Sequence, residues 1–234
     1  MYDHIGGKST LPGSKAVAFP HLEYSAGLKT DIRDGFVYSD CRVDDARLTL
    51  ANVTAAREQG ATVLTRTKVV SARRVDGLWE ATLETKDGTT STVRAKAMVN
   101  AGGPWVMDVL ESIPGARAKA KGQVRLVKGS HIIVPKVHSL GHAYILQNPD
   151  KRVVFVIPYE GKFSLIGTTD VPVSSVDEAL EISPAEVDYL LAAANRYLAK
   201  RKVFGRIYGQ GIDGMARISP LVTSRTTAAA ESAR

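Results

Sequence analysis

Between Ala61 and Trp105 the hydrophobic period changes, and that change limits the fold more than any other feature of the chain. Thr62 to Thr67 alternates well enough to be a strand, and Val69 to Arg73 continues or restarts it. Asp76-Gly77 marks a turn and Leu78 to Glu84 a strand, while Asp87-Gly88 is a hairpin turn of the kind that needs positive φ. Thr90 to Lys96 returns as the partner strand. Short strands joined by tight turns pair with their sequence neighbours, so this stretch predicts an antiparallel meander. It runs into Ala97-Met98-Val99-Asn100, read as a short buried strand, and then into Ala101-Gly102-Gly103-Pro104-Trp105. Trp105 to Leu110 is expected as a short helix. Small residues at a strand end let a backbone approach a ligand where a side chain would clash. The plain alternative is a strand that ends in a turn.

A helix precedes the meander. Asp44 or Asp45 is a good N-cap, Leu48, Ala51, Ala55 with Leu50 and Val53 supply a packing face, and Gly60 suits a left-handed cap. Met1 to Val43 reads as irregular, with turn signals at Gly6-Gly7, Pro12-Gly13 and Asp34-Gly35. A second strand-rich block starts at Val124. Its strands are expected at Val124–Val127, Ser130–Val134, Ala143–Gln147, Arg152–Pro158 and Phe163–Thr168. Their short separations favour a mixed or antiparallel sheet. A helix follows with Ser183 as cap, Pro184 in the first helical position and Glu186 completing a capping box. It is expected to reach about Lys200, with Leu190, Leu191, Ala194, Tyr197 and Leu198 on its apolar side. Pro114, Gly115, Lys119 and Lys121 suggest an exposed connection over Ile113–Gln123, and the pattern weakens after Phe204.

Bulk properties narrow the function classes. The 234 residues, 44% of them hydrophobic, suit one large domain or two small ones with a real core. No apolar run approaches the ~20 residues that span a bilayer, and the first residues lack the apolar core of a secretory signal. Cys41 is the only cysteine, which excludes an internal disulfide framework and fits a reducing cytosol. A net charge of +7 and a pI near 9.5 suit an anionic substrate or cofactor, an acidic membrane surface, or plain solubility. Nucleic acid is not expected, because only Arg73-Arg74 and Lys200-Arg201-Lys202 cluster and no nucleic-acid motif accompanies them. The histidines show no ligand spacing with carboxylates, so no metal is expected.

Several stretches together resemble the FAD-dependent glycerol-3-phosphate dehydrogenases. They are Tyr38-Ser39-Asp40-Cys41, Val43-Asp44-Asp45-Ala46-Arg47-Leu48, Leu64-Thr65-Arg66-Thr67 and Ser71-Ala72-Arg73-Arg74. Further on come Val99 to Trp105, Arg125-Leu126-Val127-Lys128-Gly129-Ser130-His131, Ala143 to Asn148, Asp150 to Pro158 and Ile166-Gly167-Thr168-Thr169-Asp170. The resemblance covers most of residues 1–200. It implies an α/β fold class, α+β within this chain: a partial FAD-binding domain with a β-meander, plus a substrate domain on a mixed or antiparallel sheet. The expected division is 1–43 substrate-domain segment, 44–110 partial FAD-binding domain, 111–203 substrate-binding domain and 204–234 a poorly matched tail.

The implied reaction is oxidation of sn-glycerol 3-phosphate to dihydroxyacetone phosphate by hydride transfer to FAD, with electrons passed to quinone. A cytoplasmic protein, at the inner face of the membrane, follows by family analogy. Under this resemblance His131 is the expected base, although a satisfied core histidine is an equal reading. Arg125, Lys128, Thr168 and Thr169 are the expected substrate-binding residues, the two cations offering charge to a phosphate or to the flavin. Val69, Asn100, Ala101, Gly102, Gly103, Gly129 and Ser130 are the expected FAD-side positions. The chain departs from the family where a G-x-G-x-x-G unit should receive the pyrophosphate: Gly6-Gly7 and Gly209-Gln210-Gly211 lack the strand–turn–helix setting. It also lacks the family's later lysine-bearing segment, and Gly214 to Leu221, with Arg217, matches the family's substrate-arginine motif poorly. An internal fragment, inactive and poor at holding FAD by itself, is therefore expected. An amino-acid or amine oxidase of the same superfamily and a non-catalytic binding domain are the alternatives.

Overall fold

The computed structural model describes residues 10–20, 23–114, 123–179, 181–199 and 221–227, the last as backbone. The features read at His4, His21, residues 115–122 and residues 200–220, Arg217 among them, lie outside the described residues. The described residues divide into two compact units, one within Asp40–Gln123 and one within Met1–Ser39 and Val124–Ala228. Helices and antiparallel sheets mix in the chain, as expected.

The first unit holds helix α1 (Asp45–Glu58), the meander and a short helix α2 (Val106–Glu111). Asp44 caps α1, its Oδ1 accepting the Arg47 N–H at 3.0 Å, and Gly60 takes φ +94° after the last turn. The expected packing face is not covered: no α1 residue is buried, and Leu50 is 65% exposed. Among the described residues nothing lies over that stripe. The meander comprises β3 (Thr67–Val75), β4 (Leu78–Thr85) and β5 (Thr90–Ala95) in the order 3-4-5, every pair antiparallel. β3 starts at Thr67 rather than Thr62, because Arg66 takes a left-handed φ of 55° that interrupts extension. The register skips Val70 between Val69 and Ser71, a bulge that leaves one residue out of the ladder. A small core forms from Ala72, Ala81 and Ile113, with Trp79, Met98 and Val109 against it.

Residues 97–100 are not a buried strand, which corrects the sequence reading. They are irregular, and Val99 is 86% exposed. Apolar composition alone does not make a strand without a neighbour for its backbone groups.

The second unit carries most of the buried apolar surface. The hairpin β1 (Lys15–Ala18) and β2 (Asp34–Val37) arises where the sequence reads as irregular. β6 (Gln123–Gly129) lies between β11 (Val171–Val173) and β12 (Leu221–Thr227) in a three-stranded sheet. β7 (His131–Pro135), β8 (Tyr144–Gln147), β9 (Val153–Tyr159) and β10 (Phe163–Gly167) form an antiparallel sheet of order β7-β10-β9-β8. Ile132, Val134, Val154, Val156 and Ile166 point to one face of it by the two-residue period of a strand. Helix α3 (Pro184–Tyr197) covers that face with Leu190, Leu191, Ala193 and Ala194, joined by Leu198 just beyond it. α3 stops at Tyr197, short of Lys200, because Leu198 turns to an extended backbone and pairs with Leu28 in an isolated bridge.

Replacing Leu190 with Ala removes a fully buried side chain and is expected to cost ~2–5 kcal/mol. Leu50→Ala is expected to stay within about 0.5 kcal/mol. Urea denaturation of the two variants checks the contrast. A second prediction concerns His138, which is buried and stacked on His142 with ring centroids 4.9 Å apart. Burial pushes its pKa from 6.5 down to about 4, and charge on His142 and Lys136 pushes the same way. The unfolded chain therefore binds a proton at higher pH than the folded one. This contribution to stability is complete above pH 6.5 and is lost as pH falls toward 4, a change on the order of 2–3 kcal/mol. Unfolding free energies measured along that pH range should lose this slope in His138→Phe.

Candidate functional site

Two strand-to-strand junctions run side by side in the second unit. The chain passes from β6 to β7 through Gly129 and Ser130, and from β10 to β11 through Thr168, Thr169 and Asp170. β6 pairs with β11 and β7 with β10, so the junctions form one antiparallel ribbon that leaves one sheet and enters the other. His131 stands opposite Gly167 at the end of the β7–β10 ladder. The half-buried imidazole lies directly over Gly167: a Cβ there would sit 2.0 Å from the ring. No side chain fits in that space, so glycine is required for the close approach. Gly129 repeats the arrangement one step on, where a Cβ would lie 2.5 Å from Thr168 Oγ1. His131, Thr168 and Gly129 thus share one partly exposed patch of ribbon.

The other side of the ribbon is buried and polar. Glu186 of α3 reaches it with both carboxylate oxygens. Ser130 Oγ and Thr169 Oγ1 donate to Oε1 at 2.7 and 2.9 Å, and the Ser130 N–H donates to Thr169 Oγ1 at 2.8 Å. Lys128 Nζ lies 2.7 Å from Oε2 and also donates to the Glu181 carbonyl at 3.0 Å. The Ser183 N–H and Oγ donate to Oε2 at 2.9 and 2.8 Å, completing the expected capping box. Burial alone would raise the Glu186 pKa. Hydrogen bonds from Lys128, the Ser183 backbone, Ser130 and the Ser183 hydroxyl outweigh it and hold the carboxyl at about 2, below its usual 4.5. The stability this carboxylate confers is complete above pH 4.5 and is lost as pH falls toward 2.

Three expected site residues are therefore corrected. Lys128, Ser130 and Thr169, all buried, turn their polar atoms inward to Glu186 and its surroundings rather than toward a ligand. Arg125 remains exposed on β6. Sequence reasoning missed two participants. Glu186 was legible as a cap, but its partners from distant strands were not. Gly167 was legible beside Thr168 and Thr169 as a flexible strand end on the substrate side, but the His131 ring that rests on it was not.

The first unit holds the remaining candidates and is described by itself. Asn100 closes the turn after the meander: its Oδ1 accepts the Gly102 N–H at 3.1 Å and its Nδ2 donates to the Val106 carbonyl at 2.9 Å. A Cβ on Gly102 would lie 3.0 Å from that Oδ1, whereas Gly103, at φ +54°, faces open space. Ala101 is exposed between them, and Val69 is exposed beside the β3 bulge. These residues fit part of a flavin dinucleotide, since Gly103 offers bare backbone to a large flat group. Among the described residues no glycine-rich strand–turn–helix cradle for its pyrophosphate is present. Among the described residues no group of three or more His, Cys, Asp or Glu side chains is placed to hold a metal ion.

Replacing Gly167 with Ala is expected to force the His131 ring from its seat and to cost about 1–3 kcal/mol. A change in the ring's NMR signals, together with a lower denaturation midpoint, checks this.

Residues 11–225 match the family model described as FAD dependent oxidoreductase. The D-erythritol 1-phosphate dehydrogenase of Brucella abortus is 47% identical over 202 residues, covering 86% of this chain and 40% of that protein. The glycerol-3-phosphate dehydrogenase of Pseudomonas aeruginosa is 47% identical over 201 residues, covering 86% of this chain and 38% of that protein. The chain thus spans about two fifths of the length of these relatives. Among solved structures, the glycerol-3-phosphate dehydrogenase from Bacillus halodurans complexed with FAD superposes with a TM-score of 0.69 at 28% identity, covering 92% of this chain and 44% of that one. On the extent of the family match, this chain belongs to the FAD dependent oxidoreductases.

Proposed function

We propose that this chain is the meander and the substrate-side lobe of a flavoprotein that oxidises a polyol phosphate, sn-glycerol 3-phosphate in the first place. The observation that carries this reading is the 47% identity, across 86% of the chain, to a dehydrogenase named for glycerol 3-phosphate. When bound, FAD supplies the hydride acceptor for oxidation of the carbinol carbon. His131 takes the proton of the C2 hydroxyl, and a ring fixed on Gly167 presents its edge in one direction. The half-buried Thr168 hydroxyl binds substrate beside it, and the exposed Arg125 offers charge to the phosphate. Asn100, by closing its turn, holds Gly102 and Gly103 as a flat backbone surface for the cofactor.

D-Erythritol 1-phosphate is the second substrate reading, favoured by a relative of equal identity. Both molecules are phosphate monoesters of polyols, so the reading of the ribbon is the same for each. Quinone as the acceptor, and a cytoplasmic protein at the inner membrane face, complete the proposal. Their support is the likeness to the glycerol-3-phosphate dehydrogenases. Among the described residues no helix is long and apolar enough to cross a membrane.

The test is the flavoprotein that carries this segment, expressed from its whole reading frame and loaded with FAD. Glycerol 3-phosphate should reduce an electron-accepting dye and yield dihydroxyacetone phosphate, with D-erythritol 1-phosphate assayed beside it. His131→Asn should lower kcat by about 10²–10⁴-fold. Turnover of amino acids or amines with neither polyol phosphate oxidised would replace this reading with the oxidase alternative.

A further inference from the structure

We infer that Glu186 is a positioning residue for His131, acting through Ser130 and Thr169 rather than by touching substrate. The inference rests on the role given to His131 above. Four contacts carry it. Oε1 of Glu186 collects the hydroxyls of Ser130 and Thr169, one from each strand of the ribbon. Thr169 Oγ1 in turn accepts the N–H of Ser130, the residue that immediately precedes His131. The Thr169 N–H donates to the Ser130 carbonyl at 3.3 Å, closing the link in the other direction. The backbone on the N-terminal side of His131 is thereby tied at both of its polar groups.

The imidazole is also confined from below, because its ring rests on Gly167 with no room for a Cβ. Gly167 belongs to the strand that continues into Thr168 and Thr169. The ring and its seat are therefore locked to the same carboxylate, and a shift of Thr169 would move both. Lys128 anchors the carboxylate from the β6 side through Oε2, and its ammonium is held in turn by the Glu181 carbonyl. Ser183 touches only Oε2 and its own helix end. One carboxylate thus serves two duties on separate oxygens: Oε2 caps α3 and neutralises Lys128, while Oε1 holds the histidine-bearing ribbon.

That separation gives a test that distinguishes positioning from mere stability. Ser183→Ala removes a helix cap and should destabilise the fold while leaving the Oε1 contacts in place. Thr169→Val replaces the hydroxyl with a methyl of nearly the same shape and breaks the side-chain links to the Ser130 N–H and to Glu186. The 234-residue chain, labelled at its five histidine rings, reads the outcome by NMR without any turnover. The His131 signal is assigned by its loss in His131→Asn. Thr169→Val and Glu186→Gln should shift or broaden that signal, and Ser183→Ala should leave it in place although its melting temperature also falls. In the FAD-loaded flavoprotein, Thr169→Val should lower kcat by about 10–100-fold with KM changed less than about 3-fold, the scale expected for a misplaced catalytic group. Ser183→Ala should keep kcat within about 2-fold.

An unmoved His131 signal in Thr169→Val, or an equal disturbance in Ser183→Ala, overturns the positioning role. Should Glu186→Gln fail to fold, the two hydroxyl variants carry the comparison by themselves. Absence of polyol phosphate oxidation in the unmutated flavoprotein would instead overturn the functional reading, and the NMR comparison would still decide the positioning of His131.

Discussion

The second unit is organised around one buried carboxylate. Taking Glu186 out of water costs several kcal/mol unless its charge and lone pairs are met. They are met by an ammonium, three hydroxyls and a backbone N–H drawn from β6, the two junctions and the first turn of α3. The penalty for leaving any donor out fixes where these elements stand. The apolar sheet and helix supply the driving force for collapse, but an apolar interface is tolerant of small slips. The polar cluster is not, and it sets the register of the ribbon relative to α3.

That division of labour bears on the candidate chemistry. A base must sit within hydrogen-bond reach of one particular proton. His131 lies at the edge of the core, where packing alone specifies direction weakly. Gly167 beneath the ring and the tie at Ser130 behind it supply the missing constraints. The first unit shows the same economy, with the Asn100 side chain shaping a turn that exposes Gly103.

Local features were legible in the sequence. The Ser183-Pro184-x-Glu186 box, the Asp44 cap, the Gly88 turn and the meander strands each depend on residues a few positions apart. What depends on distant partners was not legible. Lys128, Ser130 and Thr169 read as ligand groups, because a polar residue in a strand gives no sign of which face it takes. Only the antiparallel pairing of β6 with β11 and β7 with β10 brings them to Glu186. β1 and β2 escaped notice because Pro12-Gly13 and Asp34-Gly35 read as turn signals, although Asp34 and Gly35 open β2. The α1 stripe was read as a packing face, but a periodic pattern does not say what covers it, and no α1 residue is buried.

That uncovered helix has a consequence for how the chain breathes. α1 is held by its own ladder and its Asp44 cap, with no buried side chain to couple it to the sheet. A helix of 14 residues supported only by backbone propensity is marginal in water. Its amide protons should therefore trade with solvent deuterium through local fraying, long before those of β9 or α3, whose release requires the whole unit to open.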